Sequence, residues 1–208
     1  MSGRGLLISF EGIDGCGKST QLALLAQRLE AEGQACLCLR EPGGTALGEA
    51  IRGLLLEARE TAIHPRAELL LFNAARAELV EERIKPALEA GVWVLLDRFV
   101  DSTRAYQGGG RGLSKEELED TLRFACAGLQ ADLRLLLDIS PQEALSRRQL
   151  RGGGPDRFEA EGLAFMETVA QRYRQLAQED EGLLRLDASQ EAELLAQQVW
   201  EEIQARRP

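Results

Sequence analysis

One short stretch near the amino end constrains this chain more than any other. Gly12-Ile13-Asp14-Gly15-Cys16-Gly17-Lys18-Ser19 fits the spacing G-x-x-x-x-G-K-[ST] with no mismatch. Its glycines let main-chain N–H groups turn inward around an anion, where a Cβ would obstruct the approach. A helix that starts at Lys18 adds its own unsatisfied N–H groups and the positive end of its dipole. Lys18 brings a point charge to the β and γ phosphates, and the Ser19 hydroxyl suits a Mg²⁺ that keeps most of its waters. The expected cradle is Gly12, Gly15, Cys16, Gly17, Lys18, Ser19 and Thr20. Such a loop implies a nucleoside triphosphate without fixing the reaction.

The context of the loop agrees with this reading. Leu6 to Phe10 is a short apolar run that reads as a buried strand. Leu22, Leu25, Ala26 and Leu29 recur at helical spacing after the loop, and Gly33 stops the pattern. Further strands are expected at Ala35–Leu39, Val92–Leu96, Leu133–Leu137 and Leu183–Leu186. Helices are expected over Ala46–Glu57 and from Pro65 to about Glu82, continuing or breaking near Pro86. Others run from Ser114, with a capping box to Glu117, over Phe158–Gln178, and from a Ser189 cap to about Ala205. Arg147–Arg157 reads as a loop, rich in Arg and Gly. Strands that alternate with helices need crossover connections, and continuous apolar runs suit a sheet covered on both faces. The expected class is α/β, with a mostly parallel sheet and helices on both faces. The chain reads as a single domain over residues 1–208, with a lid at about 141–157.

Composition removes several alternatives. The chain has 208 residues, 44% hydrophobic and 28% charged, which is ordinary for a globular protein. A formal net charge of -9 excludes a non-specific nucleic-acid coat, since the chain repels phosphate polymers on average. Any anion site must therefore be a local concentration of cations and main-chain N–H groups. The cysteines (Cys16, Cys36, Cys38, Cys126) contain no CxxC pair and the one histidine is His64, so a zinc site of ordinary spacing is not expected. Cys36 and Cys38 would share one strand face and are read as core. His64 stands just before Pro65 and is read as a surface or capping residue. No apolar run reaches the roughly 20 residues of a membrane span, and no cleavable leader precedes the first strand, so a reducing cytoplasm is the expected location.

The remaining question is the reaction. A GTP-operated switch identifies guanine through Asn-Lys-x-Asp, but the single Asn73 is followed by Ala74. A translocating ATPase is usually larger. What remains is a small kinase acting on a small molecule. Its metal needs an acid at a strand end, and Asp97 and Asp138 both qualify. Asp97 is favoured, because Arg98 follows it at once and can reach a phosphate while the carboxylate holds Mg²⁺ through water. Phe72 and Arg76 lie four apart on one helix and share a face. A ring for stacking and a guanidinium for a base edge would make a nucleobase grip, although spacing alone places Phe72 in the core.

Five blocks in register resemble thymidylate kinase along nearly the whole chain: FEGIDGCGKST (Phe10–Thr20), LREPGGT (Leu39–Thr45), LLLFNAAR (Leu69–Arg76), DRFVDSTRAYQG (Asp97–Gly108) and DRF (Asp156–Phe158). The resemblance implies a P-loop fold with a five-stranded parallel sheet, a homodimer, and Mg²⁺-dependent transfer of the ATP γ-phosphoryl group to dTMP. It places thymine at Phe72 and Arg76, with Thr103 and Gln107 as further pocket candidates. It sets Tyr106 against the sugar, excluding a 2′-hydroxyl, and gives Asp14 the 3′-hydroxyl. Arg40, before Glu41-Pro42, would hold the acceptor phosphate together with Arg98. Residues Leu186–Ser189 lie where such folds cover adenine.

The acceptor is already an anion, so no serine-type base or catalytic histidine is expected, and catalysis should be positioning plus charge stabilisation. Residues 147–157 carry Arg147, Arg148, Arg151 and Arg157 against Asp156, a local charge of +3. Consecutive glycines there suit a flap whose closure excludes water. Members of the resembled family keep a catalytic Arg either in the phosphate loop or in the lid. Gly15 stands at the loop position here, which implies the lid arginine of the bacterial type. Arg151, before Gly152, matches that arginine, with Arg147 and Arg148 as the other choices and Arg157 as a lid anchor. Two alternatives remain at this stage: another P-loop kinase of deoxynucleosides or monophosphates, and a catalytically idle nucleotide-binding regulator.

Overall fold

A computed structural model describes residues 3–57, 62–151, 157 and 161–206. Strand β1 (Leu7–Glu11) is buried along its whole length. Successive strand side chains point to opposite faces, so β1 feeds two cores at once. Leu7 packs with Val94, Leu96 and Phe99 on one side, while Ile8 and Phe10 pack with Leu95, Leu135 and Leu137 on the other.

Four further strands flank it: β2 (Cys36–Arg40), β3 (Trp93–Asp97), β4 (Leu133–Asp138) and β5 (Leu183–Asp187). They pair in parallel in the order β2-β3-β1-β4-β5. Asp97 is level with Phe10 on one side and Arg40 on the other, so three strands end together. The chain runs from β1 outward to β2, returns through β3, then crosses to β4 and β5. The carboxyl end of β1 therefore faces the point where the winding reverses, which is where open α/β sheets keep ligands.

Helix α1 (Lys18–Ala31) covers one face of the sheet with α8 (Leu163–Glu179) and α9 (Ala192–Gln204). The other face lies under α3 (Pro65–Leu79), a π-helical turn (Val80–Ile84), α4 (Lys85–Glu89) and α6 (Lys115–Cys126). Helix α2 (Ala46–Leu56) packs on α3 through Ile51, Leu55 and Ala75. Thr45 caps α2, His64 caps α3 through its Nδ1, and Ser114 and Glu117 form the expected capping box on α6. The segment before Pro86 continues rather than breaks. A wider turn relieves the clash that a proline makes with the carbonyl four residues back.

Several sequence expectations need correction. Helix α7 (Pro141–Arg151) takes in Arg147, Arg148 and Arg151, which the Arg- and Gly-rich composition of 147–157 places in a loop. Ser140 bonds the N–H of Glu143, Ala144 is buried, and arginine is a good helix former. Helix α8 begins at Leu163, and Phe158 lies outside the described residues. Glu191, not Ser189, precedes α9, because Ser189 turns back to bond Asp187. Of the two cysteines expected in the core, Cys36 packs against its edge and Cys38 does not join it. β2 is an edge strand, which leaves Cys36 half-buried and Cys38 exposed. After β3, α5 (Val100–Thr103) leads into a π-helical turn (Arg104–Gly110), both too short to leave a helical period in the sequence.

Leu95 is inaccessible to solvent on β3, one strand from the centre. Leu95→Ala is expected to lower stability by about 2–5 kcal/mol. Urea unfolding should show a lower midpoint at unchanged slope.

Candidate active site

The phosphate loop leaves β1 at Glu11 and enters α1 at Gly17, whose φ of 103 aims the chain into the helix. Among the described residues no side chain caps α1. Its first N–H groups are therefore left for an anion, in the field of the helix dipole. Gly15 is constrained differently. A Cβ there would stand 2.3 Å from the carbonyl oxygen of Ala144, so the loop is seated against α7 and admits no side chain in this arrangement. Cys16 is buried beneath the loop, while Ser19 and Thr20 are exposed in the first turn of α1. Lys18 is buried, and its Nζ donates to the carbonyls of Gly12 at 3.1 Å and Ile13 at 3.0 Å.

Asp97, at the end of β3, accepts a hydrogen bond from Ser19 Oγ at 2.8 Å. These hard oxygen donors from two strand-to-helix junctions fit a divalent cation that brings its remaining ligands as water and nucleotide phosphate. Among the described residues no group of three His, Cys, Asp or Glu side chains could hold a metal ion. Asp138, the other strand-end acid, is held by Arg174 at 3.0 Å and Arg185 at 2.7 Å.

Arg98 follows Asp97 with a φ of 75, a conformation that costs a non-glycine residue energy. Its Nη2 donates to Asp14 at 2.7 Å and to the Tyr106 hydroxyl at 3.1 Å. Its Nη1 donates to the Gly12 carbonyl at 3.0 Å. Burial alone would raise the Asp14 carboxyl, but the charges of Arg98 and Lys18 and the hydrogen bonds from Arg98 and Tyr106 outweigh it. Asp14 therefore stays well below the usual carboxylate range and is an anion at neutral pH. Burial raises the Tyr106 phenol, so it remains a hydroxyl, and it donates to Asp14 at 3.2 Å. Arg40, at the end of β2, pairs with Glu49 at 3.2 Å and opens onto the same cleft as Lys18, Ser19, Asp97 and Arg98.

An adjoining pocket brings together Asp14, Phe72, Arg76, Arg98, Thr103, Tyr106 and Gln107, all assigned from sequence. Phe72 is half-buried on its wall, packed against the core. Arg76 is nearly inaccessible and pairs with Glu41 at 2.6 Å. Its other donors reach Asn73 at 3.0 Å and Thr103 at 3.0 Å. Gln107 donates its amide N–H to Glu68 at 2.8 Å, which fixes the orientation of that amide.

The arginines near the expected lid divide. Arg147 donates to the carbonyls of Ala188 at 2.8 Å and Ser189 at 3.3 Å, tying α7 to the loop after β5. Arg157 docks on Leu55 of α2 at 2.7 Å and Glu68 of α3 at 2.6 Å. Arg148 is half-buried on α7. Arg151 is the last residue of α7, and Gly152–Asp156 lie outside the described residues.

Sequence reasoning missed Glu11, Glu41, Arg52, Glu68, Ser102 and Tyr173. Arg52 bonds the Pro42 carbonyl at 3.0 Å and lines both the pocket and the phosphate cleft. Glu11 left a signal, a charge closing a buried, mostly apolar strand. Ser102 and Tyr173 left none, since neither differs by type or spacing from ordinary helix residues.

A family model described as thymidylate kinase matches residues 10–199 of this chain. Curated proteins named thymidylate kinase are similar over almost their whole length. One from Magnetococcus marinus is 44% identical over 204 residues, 98% of this chain and 97% of its own. One from Chlorobium chlorochromatii is 47% identical, covering 97% of this chain and 95% of its own. One from Synechococcus sp. strain RCC307 is 50% identical, covering 94% of each. Likeness of that degree over that much of both chains, with the family match, makes this protein a member of the thymidylate kinase family.

Proposed function

We propose that this chain transfers the γ-phosphoryl group of ATP to dTMP, giving dTDP and ADP, a step in dTTP biosynthesis. The observation that carries the reading is the shared wall of the two cavities. The phosphate cleft and the ring-lined pocket have Asp14, Glu41, Arg52 and Arg98 in common, so two nucleotides can meet phosphate to phosphate.

The ATP phosphates take the loop amides and the α1 N-terminus, and Lys18 exchanges its loop carbonyls for phosphate oxygens. Mg²⁺ would sit at Ser19 and Asp97 and neutralise charge on the donor phosphates when bound. Thymine lies against Phe72, with Arg76, Thr103 and Gln107 around its edge. Arg76 stands behind the base with most of its donors engaged, so it shapes the pocket as much as it contacts the ligand. Asp14 accepts the 3′-hydroxyl, and Tyr106 fills the space a 2′-hydroxyl would need. Arg98 and Arg40 hold the acceptor phosphate. That phosphate is already ionised, so no group has to remove a proton from it, and the rate comes from alignment and fixed charge.

The lid over about 141–157 closes on the ATP side, and Arg151 is its catalytic cation. Support comes from Gly15, where α7 sits directly on the phosphate loop, and from Arg147, whose bonds tie α7 to Ala188 and Ser189 near the expected adenine site. The working unit is a homodimer. Leu54 on α2, Leu70 on α3 and Phe124 on α6 are exposed, as apolar residues of an interface would be. The reading carries a cytoplasmic location, which suits the free thiols found among the described residues. Among those residues no helix is long and apolar enough to cross a membrane.

A coupled phosphoryl-transfer assay with dTMP, dUMP, dCMP, AMP and thymidine should show dTMP as the best acceptor. Comparable turnover of AMP would contradict the thymine pocket. Arg151→Ala should lower kcat by about 10²–10³-fold, the scale of removing one transition-state donor. The KM for dTMP should move less than about threefold. Unchanged turnover would shift the role to Arg147 or Arg148. Tyr106→Ala should lower the dUMP-to-UMP ratio of kcat/KM by about tenfold, as expected when a steric block is lost. A constant ratio would leave Tyr106 as packing alone.

A further inference from the structure

Glu11 closes β1 one residue before the phosphate loop, and the loop motif does not require it. It is completely buried. Its Oε1 accepts the N–H of Phe99 at 2.8 Å. Its Oε2 accepts the hydroxyl of Ser102 at 2.7 Å and that of Tyr173 at 3.4 Å. The oxygens of those two hydroxyls in turn accept from Arg98 Nη1, at 3.2 Å and 3.5 Å. A hydroxyl donates one proton while accepting others. The two hydroxyl oxygens stand 2.7 Å apart, so one proton lies between them, and together they form one linked relay from the Arg98 guanidinium to the Glu11 carboxylate. The third bond grips the peptide N–H that follows Arg98, beside its left-handed backbone. Asp14 holds the guanidinium from the loop side and Glu11 holds it from behind.

The charged surroundings of Glu11 are specific. From α5 comes Asp101, itself paired with Arg104 and Arg134. From α3 comes Arg76, paired with Glu41, and from α8 comes the Tyr173 phenol. Burial lifts the Glu11 carboxyl to about 7 and Asp101 adds to the lift, while Ser102, Arg98 and the Phe99 amide oppose it.

We propose that Glu11 is a positioning residue for phosphoryl transfer, whose buried carboxylate sets the pose of Arg98 through Ser102, Tyr173 and the Phe99 amide. The inference rests on Arg98 as the clamp on the acceptor phosphate. Glu11→Gln keeps the shape but replaces an accepting oxygen with an amide nitrogen that cannot take the hydroxyl protons. It should lower kcat by about 10- to 100-fold, the scale of a hydrogen bond to a charged group. The KM for ATP should change by less than about threefold. In an Arg98→Ala background the same substitution should cost almost nothing, because the group it positions is gone. An equal loss in both backgrounds would make Glu11 structural and overturn the proposal. Full activity of Arg98→Ala alone would instead condemn the clamp assignment.

The pH profile supplies a second readout. Wild-type kcat should fall as pH drops through about 7, when Glu11 takes up a proton and loses an accepting site. Glu11→Gln should lack that limb and keep only the limb of the acceptor phosphate, near about 6. A limb near 7 that survives the substitution counts against the proposal. If Glu11→Gln fails to fold, the pair Ser102→Ala with Tyr173→Phe cuts the relay and spares the bond to Phe99. Wild-type turnover of that pair would overturn the proposal as well.

Discussion

The ion pair between Arg98 and Asp14, 2.7 Å long, is the contact on which the site's arrangement depends. It joins the end of β3 to the phosphate loop after β1, across the seam where the two strands pair. Arg98 also bonds the Gly12 carbonyl and the Tyr106 hydroxyl, so one guanidinium ties the loop, the strand end and the Tyr106 wall of the pocket together. The pair is largely shielded from solvent, where an uncompensated charge would be costly. Removing either partner would therefore do more than delete a contact. It would leave the other charge stranded beside the nucleotides.

Around that contact the protein solves an electrostatic problem. A chain with a net charge of -9 must bring two phosphate-bearing molecules together. It does so with local devices rather than overall charge: an uncapped helix N-terminus, a buried lysine poised on loop carbonyls, and arginines at three strand-end or helix positions, Arg40, Arg98 and Arg52. Low-dielectric walls concentrate the field of these groups in the cleft. Several acids nearby are matched to cations: Asp14 to Arg98, Glu41 to Arg76, Asp138 to Arg174 and Arg185.

Much of the fold was legible because the signals were local. Five apolar runs gave five strands, and the glycine-rich spacing at 12–19 fixed the loop and the helix after it. The site's residues were legible where a motif carried them, and Asp14, Phe72, Arg76, Arg98, Thr103, Tyr106 and Gln107 do line one pocket. What failed was where geometry depends on distant partners. Residues 147–151 looked like a loop because of the glycines that follow, whereas packing of Ala144 against the core and against Gly15 holds them in a helix. The pairing of Arg76 with Glu41, 35 positions away in the chain, carried no sequence signal either. Tyr173 lies 162 positions from Glu11, and no sequence pattern links the two.

The central claim is that both nucleotides are held at once, with their phosphates meeting between Lys18 and Arg98. Isothermal titration with a bisubstrate analogue, adenosine joined to thymidine through a polyphosphate chain, tests this most directly. The account predicts that the analogue binds far more tightly than ATP or dTMP alone, with one site per chain and with competition against each nucleotide. Binding no tighter than that of ATP, or displacement by ATP but not by dTMP, would contradict it.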